Sequence, residues 1–182
     1  MASIARRLLD CGAVRFGEFT LTSGQKSSYY VDVKAAMTDP TTLRAIAGEM
    51  AALAEGFDAV AGMELGAVPI ATAVSLEADI PLMVIRKAAR AHGTGKRIEG
   101  PSPKGLRVFV VEDVTTSGGS TVEAVKVLRD AGAEVTDASV VVDRESGGHE
   151  ALEAEGVRLH PLCRVSDLLD TPEAKAALGA AS

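Results

Sequence analysis

An acidic pair followed by a loop of hydroxyls and glycines is the clearest candidate for chemistry in this sequence. Glu112 and Asp113 follow the apolar run 108–111, and residues 115–121 hold five hydroxyl side chains and two glycines. Apolar residues then recur at helical spacing from Val122. Because glycines let a backbone approach a ligand and a helix N-terminus carries partial positive charge, the loop suits a phosphate.

This loop does not match the two common nucleotide-binding motifs. It lacks the lysine of GxxxxGK[ST], and the chain contains no GxGxxG. The two carboxylates would repel a phosphate unless they serve ribose hydroxyls or a Mg²⁺ ion that arrives with the ligand. The pattern therefore indicates a phosphorylated sugar, with a hydroxyl-rich loop that only caps a helix as the alternative.

A basic segment, residues 86–97, is the second candidate. Besides His92 and two glycines, it contains five of the 19 basic residues of the chain, namely Arg86, Lys87, Arg90, Lys96 and Arg97. In a chain of net charge −6, this local positive charge suits a polyanion such as pyrophosphate, and the glycines suit a mobile lid. The alternatives are a solvated surface loop and a patch for nucleic acid.

Composition limits the class of protein. A length of 182 residues with 47% hydrophobic residues predicts one domain, and the acidic balance argues against general nucleic-acid affinity. No apolar stretch is long enough to span a bilayer, so we expect a soluble, cytoplasmic protein. Cys11 and Cys163 lack metal-ligand spacing and are predicted to be free thiols, and His149 and His160 to be structural.

The order of apolar segments predicts an α/β protein whose sheet is parallel. The expected strands are 59–62, 82–85, 108–111, 138–142 and an edge strand at 157–162, after a hairpin formed by 19–21 and 29–33. The expected helices cover 4–11, 40–54, 69–76 and 122–131, and a last helix starts at Thr171-Pro172. Ligands bind beyond the carboxyl ends of parallel strands, which places residues 64–67, 86–87, 112–120 and 143–144 at one edge.

Four segments carry a resemblance to a known family. They are FGEFTLTSGQKSSYYVDV from Phe16, RKAARAHG from Arg86, VVEDVTTSGGST from Val110, and VVVDR ending at Arg144. Together they resemble the orotate phosphoribosyltransferases, members of the type I phosphoribosyltransferase family, over about residues 16–144. The third segment resembles the motif that binds phosphoribosyl pyrophosphate (PRPP). The pattern F-x-L-x-S-G-x-x-S-x-Y in the first distinguishes the orotate branch from purine relatives.

The resemblance implies a fold and a reaction. The fold is a single α/β domain, residues 1–182, with a central, mainly parallel sheet flanked by helices and a flexible basic loop. Residues 1–35 and the C-terminal segment would form a small hood over the base. The reaction transfers ribose 5-phosphate from PRPP to orotate, giving orotidine 5′-monophosphate and pyrophosphate in pyrimidine biosynthesis. Mg²⁺ would be bound mainly through PRPP, and no nucleic acid or membrane partner is expected.

The resemblance also assigns residues to roles. The implied catalytic residues are Lys87, Arg90, His92 and Asp113. The implied PRPP-binding residues are Arg86, Lys87, Arg90, His92, Glu112, Asp113, Val114, Thr115, Thr116, Ser117, Gly118, Gly119 and Ser120. The implied orotate-binding residues are Lys26, Tyr30, Thr116 and Arg144. Lys87 would reach the pyrophosphate of the neighbouring subunit, which implies a homodimer with shared active sites.

This chain departs from some family members at two places. Thr22 stands where they have a lysine, and Leu65-Gly66 stands where they have Tyr-Lys. Two alternatives to the orotate enzyme stay open from the sequence. One is a purine or uracil phosphoribosyltransferase, and the other is a non-catalytic regulator that senses PRPP.

Overall fold

A computed structural model describes residues 2–20, 26–88 and 96–179 of the chain. In chain order the elements are α1 Ile4–Asp10, β1 Val14–Thr20, β2 Lys26–Val31, α2 Val33–Thr38, α3 Pro40–Leu53, β3 Ala59–Met63, α4 Val68–Ala78, β4 Leu82–Ile85, β5 Ile98–Glu99, β6 Val108–Thr115, α5 Gly119–Asp130, β7 Asp137–Asp143, α6 Gly148–Ala154, β8 Arg158–Arg164, α7 Val165–Leu169 and α8 Pro172–Gly179.

The central sheet has six strands in the order β5-β4-β3-β6-β7-β8. Neighbouring strands from β4 to β8 run parallel, and only the two-residue β5 is antiparallel to its neighbour β4. The predicted α/β class and mainly parallel sheet are therefore confirmed. The sequence pattern did not predict β5, because two residues are too few to show a period.

Helices cover both faces of the sheet, and strand β6 shows how its sequence serves both. Phe109 and Val111 lie in an apolar cluster with α1, α2, α3 and α4. Val108 and Val110 lie in a second cluster with α5 and α6. Successive side chains of a strand point to opposite faces, so a strand buried on both sides is continuously apolar. The prediction of a buried strand at 108–111 is confirmed, although the strand extends to Thr115 and contains the acidic pair.

Outside the sheet, β1 and β2 form an antiparallel pair. The hairpin prediction is confirmed, but β1 starts earlier than expected. Strand β2 ends at Val31, before the expected Val33. The Asp32 side chain accepts a hydrogen bond from the backbone N–H of Lys34 and so starts α2. Helix α8 packs on β1, α1 packs on α7, and Arg6 hydrogen-bonds Glu173. The two ends of the chain thus lie together. A hood over the base stays a prediction.

Local capping explains where the best-predicted helix begins. The Asp39 carboxylate accepts hydrogen bonds from the backbone N–H and the hydroxyl of Thr42, and Pro40 occupies the first turn of α3. These hydrogen bonds lower the pKa of Asp39 to about 2. In the described ranges, no helix has the length and apolar content needed to cross a membrane. Cys11 and Cys163 are free, as predicted.

Candidate active site

The parallel strands β3, β4, β6 and β7 bring their carboxyl ends to one edge of the sheet. A cavity of about 270 Å³ opens there. It is lined by Lys34, Met63, Glu64, Leu65, Gly66, Lys87, Glu112, Asp113, Val114 and Ser120. Residues from the hydroxyl-rich loop and from the basic segment, predicted separately from sequence, therefore meet at one cavity.

The acidic pair lies inside β6, where strand alternation gives its two members different surroundings. Glu112 is buried, and its Oε1 accepts a hydrogen bond of 3.0 Å from the Asp113 backbone N–H. Asp113 is half-buried, and its Oδ1 accepts from the Val114 N–H at 2.8 Å. Burial, and secondly the charge of Asp113, raises the pKa of Glu112 to about 8, although Lys87 opposes the shift. Burial therefore favours the protonated form of Glu112, which can donate a hydrogen bond.

Gly66 lies against the Asp113 carboxylate in the lining of this cavity. A Cβ atom at Gly66 would lie 2.5 Å from Oδ2 of Asp113, closer than non-bonded atoms can approach. A lysine, the residue of some family members at this position, would therefore displace Asp113. Because Gly66 has no side chain, the Asp113 carboxylate occupies the space that a side chain at position 66 would fill.

The phosphate-type loop connects β6 to α5, and its conformation depends on a glycine. Gly118 has φ +79° and caps α5, while Thr116 and Ser117 before it are exposed. A Cβ atom at Gly118 would lie 3.1 Å from the carbonyl oxygen of Gly148, at the start of α6. The loop is thus packed against α6, a helix that the sequence analysis did not predict, while its hydroxyls stay accessible.

Arg144 lies beside this loop, directly after β7. Its backbone N–H donates to the carbonyl of Thr115 at 2.9 Å, and its guanidinium carbon lies 5.7 Å from the centre of the Tyr29 ring. Arg144 Nε is buried and has no hydrogen-bond partner within the described ranges. Tyr29 was not among the predicted site residues, although its place in the same β-rich run as Tyr30 was a signal that could have identified it.

The other predicted orotate-binding residues lie further out on β2 or on the loop. Tyr30 is 43% exposed and its ring packs on Phe19, with 5.7 Å between ring centres. Lys26, the first residue of β2, is exposed, as is Thr116. Adjacent strand residues point to opposite faces, so Tyr29 and Tyr30 are directed to different sides of the hairpin.

On the basic side, the structure describes Arg86 and Lys87 where β4 ends. Lys87 is exposed and its backbone N–H donates to Oε1 of Glu64 at 2.9 Å. Arg86 is half-buried, and its Nε has no partner in the described chain. Arg90 and His92, predicted for PRPP binding, lie outside the described residues, as does Thr22.

The remaining polar candidates have local roles. Nε2 of His160 lies 2.7 Å from Oδ1 of Asp137 between strands β8 and β7, which agrees with a structural role. Burial raises the pKa of the Cys163 thiol to about 12, so this cysteine is a poor nucleophile. In the part of the chain described, no group of three or more His, Cys, Asp or Glu side chains is placed to hold a metal ion.

Comparisons with known proteins identify the family of this chain. Residues 34–154 match the family model of the phosphoribosyl transferase domain. The orotate phosphoribosyltransferase of Pyrococcus abyssi is 52% identical over 171 residues, covering 92% of this chain and 94% of that protein. Among solved structures, the orotate phosphoribosyltransferase of Aeropyrum pernix has a TM-score of 0.81 at 35% identity, covering 92% of this chain and 96% of its own. That of Mycobacterium tuberculosis H37Rv in complex with PRPP has a TM-score of 0.77 at 36% identity, covering 91% and 96%. This chain therefore belongs to the phosphoribosyltransferase family and, within it, to the orotate phosphoribosyltransferases.

Proposed function

We propose that this protein transfers the 5-phosphoribosyl group of PRPP to N1 of orotate, releasing pyrophosphate and forming orotidine 5′-monophosphate for pyrimidine biosynthesis. One observation carries the proposal. A single cavity joins the acidic pair and Ser120 of the hydroxyl-rich loop to Lys87 of the basic segment. A sugar that carries phosphate at one end and pyrophosphate at the other needs both kinds of surface within its own length.

The loop from Thr115 to Gly119 and the start of α5 bind the 5-phosphate in this proposal. The first N–H groups of a helix have no acceptor within the helix, and the twelve residues of α5 align their dipoles towards this end. The exposed hydroxyls of Thr116, Ser117 and Ser120 add donors. These groups hold a phosphate without a nearby lysine, which explains how the loop works without the lysine of an NTPase motif.

The acidic pair binds the ribose hydroxyls. Asp113 accepts from a hydroxyl, while Glu112, whose pKa is raised by burial, can donate as well as accept in its protonated form. The bond from C1′ to the pyrophosphate oxygen breaks as the bond to N1 of orotate forms, so positive charge develops on the sugar. The Asp113 carboxylate favours that charge, and this is its catalytic role.

The basic side stabilises the pyrophosphate that leaves. Lys87 lines the cavity, and Arg86 precedes it at the end of β4. Their positive charges lower the free energy of the transition state, in which negative charge moves onto the leaving oxygen. Arg90 and His92 are proposed, from the family pattern, to contact the same group.

Mg²⁺ is proposed to enter with PRPP. Glu64 and Asp113 both line the cavity. Carboxylate oxygens are hard donors of the kind that Mg²⁺ prefers, so these two residues fit an ion that PRPP carries in. When bound, the ion neutralises charge on the pyrophosphate group. PRPP oxygens and water would supply most of its ligands.

Arg144 is proposed to bind the carboxylate of orotate. A guanidinium can pair with a planar carboxylate through two parallel hydrogen bonds, and Arg144 Nε is free for one of them within the described chain. The face of Tyr29 restrains the guanidinium from one side. Thr116, Lys26 and Tyr30 are proposed at the rim, beneath a hood formed by residues 1–35 and the C-terminal segment.

To test the proposed function, the protein is incubated with PRPP, Mg²⁺ and one of four bases: orotate, uracil, hypoxanthine or adenine. Pyrophosphate release is measured for each base. We expect pyrophosphate release with orotate only, together with formation of orotidine 5′-monophosphate. Release with uracil or a purine but not with orotate would overturn the assignment. PRPP binding without release for any base would favour the non-catalytic regulator.

A homodimer is proposed as the catalytic unit. Leu65, which lines the cavity, is 78% exposed, and Leu76 on α4 is 80% exposed. Single exposed leucines are common on monomeric proteins, so the proposal rests on the family resemblance, and Leu76 is the exposed position chosen to test it. Sedimentation should give a dimer for the wild type and a shift towards monomer for Leu76→Lys, whereas a monomeric wild type would contradict the proposal.

Subunit mixing tests whether Lys87 serves its own site or that of its neighbour. The resemblance implies the neighbour, but Lys87 lines the cavity of its own chain, beside Glu112, which supports its own site. If Lys87 and Arg144 serve the same chain's site, each site of a mixed dimer lacks one of the two side chains. We therefore expect that mixing Lys87→Ala with Arg144→Ala subunits restores no activity. Recovery would place Lys87 in the neighbouring site.

A further inference from the structure

We propose that Arg97, held by Glu123, and Glu64 are positioning residues for Lys87. The peptide groups of Lys87 are bonded to side chains from two directions. Its N–H donates to Oε1 of Glu64 at 2.9 Å, and its carbonyl oxygen accepts from a terminal guanidinium nitrogen of Arg97 at 3.0 Å. The inference rests on the proposed function, because Lys87 matters only if a polyanion binds in the cavity.

Arg97 also holds the residue before Lys87. Its Nε and terminal nitrogen donate to the carbonyl of Arg86 at 3.1 and 3.0 Å, and its own carbonyl accepts from the Arg86 N–H at 2.8 Å. Strands β4 and β5 share only two paired positions, Val84 with Glu99 and Ile85 with Ile98. The backbone hydrogen bond from Arg86 to Arg97 continues this pairing by one residue, and the side chain of Arg97 restrains the chain beyond it, at the Lys87 carbonyl.

Glu123 holds the guanidinium in place. Its Oε1 accepts from Arg97 at 2.6 Å, and it lies on α5, the helix whose N-terminus forms the proposed phosphate site. Side chains of Arg97 and Glu123 are 30% and 48% exposed, so their attraction contributes little to stability by itself. The pair instead fixes a position, because it links the backbone at the end of β4 to α5, the helix whose N-terminus forms the proposed 5-phosphate site.

This arrangement changes the interpretation of one basic residue. From sequence, Arg97 belongs to the positive segment expected to bind a polyanion. In the structure its Nε and one of its terminal nitrogens donate to protein carbonyls and to a carboxylate. Lys87, in contrast, has only its backbone restrained by these bonds, and its side chain lines the cavity. A rigid planar fork suits Arg97 to this role, since lysine cannot bond two carbonyls and a carboxylate in one fixed geometry.

The first experiment measures steady-state kinetics of Arg97→Ala, Arg97→Lys and the wild type with PRPP and orotate. We expect Arg97→Ala to lower kcat/KM for PRPP by about tenfold to a hundredfold, the range expected when a catalytic group is misplaced by about 1 Å. Arg97→Lys should recover less than half of this loss on a logarithmic scale. KM for orotate should change less than about twofold, because the orotate side of the site does not involve this contact.

A matched control is Lys126→Ala. Lys126 also lies on α5 and makes an exposed ion pair, with Glu155 at 2.9 Å, away from the cavity. It should leave both kinetic parameters near those of the wild type. Glu64→Gln, which keeps an oxygen to accept the Lys87 N–H, should retain more activity than Glu64→Ala.

A double-mutant cycle separates positioning from a general structural effect. If Arg97 acts through Lys87, Arg97→Ala in a Lys87→Ala background should lower kcat/KM by less than about twofold. The inference would be overturned if the double variant lost kcat/KM by the product of the two single-variant losses. A fully active Arg97→Ala protein would overturn it as well. Inactivity of the wild type with orotate would instead overturn the proposed function, and PRPP affinity measured by calorimetry on the same variants would still test the positioning role.

Discussion

The two sides of the candidate site are built differently. The proposed 5-phosphate side consists of an eight-residue strand, a loop and a twelve-residue helix, anchored in the apolar core. The basic side consists of two residues after a four-residue strand, restrained by side-chain hydrogen bonds to Glu64 and Arg97. The proposed phosphate site of backbone N–H groups therefore depends on packing of the core, whereas the position of Lys87 depends on polar contacts.

The largest effect is expected from the buried acid of the 5-phosphate side. Burial raises the pKa of Glu112 to about 8 from an ordinary value near 4.5, so the folded protein binds its proton more tightly than the unfolded chain. This stabilisation is complete below pH 4.5 and is lost as pH rises through 8. Glutamine carries no titrating proton, so Glu112→Gln should not lose stability as pH rises. At pH 9 its free energy of unfolding should exceed that of the wild type by on the order of 3 kcal/mol.

Urea unfolding between about pH 5 and pH 9 measures the Glu112 effect. The wild type and Glu112→Gln should differ little at the acidic end of this range and diverge as pH rises. Parallel curves would show that Glu112 is not the group responsible.

On the basic side, Lys87→Ala should act on catalysis and not on stability. Because Lys87 is exposed and only its backbone is bonded to Glu64 and Arg97, truncating its side chain should leave the unfolding midpoint within about 1 °C of the wild type. Loss of its charge at the leaving pyrophosphate should lower kcat/KM for PRPP by about a hundredfold. Unchanged kinetics would remove Lys87 from the site.

Glycine at the phosphate loop offers a test of packing. Gly118→Ala introduces a Cβ at φ +79° and 3.1 Å from the carbonyl of Gly148, so strain and overlap act together. We expect a loss of about 2 kcal/mol in the free energy of unfolding. Gly147→Ala is the matched control, since Gly147 also has positive φ but a Cβ added there would have no atom within 4 Å. It should cost about 1 kcal/mol, and equal losses would mean that overlap with α6 contributes nothing.

The smallest effect is expected away from both sides, at Asp137. Burial favours a higher pKa there, but hydrogen bonds from His160 and Thr136 outweigh it, and the pKa of Asp137 is lowered. Its stabilisation is therefore present at neutral pH and is lost as pH falls through the lowered pKa. Asp137→Asn should cost about 1 kcal/mol of unfolding free energy at neutral pH and leave kcat/KM unchanged. Calorimetry from about pH 7 down to pH 3 should show the difference shrinking.

Much of the fold could be predicted because burial imposes a period on the sequence. Strands at 59–62, 82–85, 108–111 and 138–142 were expected and are present, since each is a short apolar run in a sheet covered on both faces. Helix α6 was missed. Its seven residues carry few apolar side chains, and it is positioned by contact with the loop at Gly118 instead of by a strong pattern of its own.

The order of residues was enough to establish which chemistry the protein can present: an acidic pair before a hydroxyl and glycine loop, a basic segment, and strands whose ends meet at one edge. How these groups are held was settled by packing in three dimensions. Glu64 reaches the backbone of a residue 23 positions later, and Arg97 pairs with a residue 26 positions later. The period of apolar residues reports burial but not which distant polar groups become neighbours, so these contacts appear only once the helices and strands have packed.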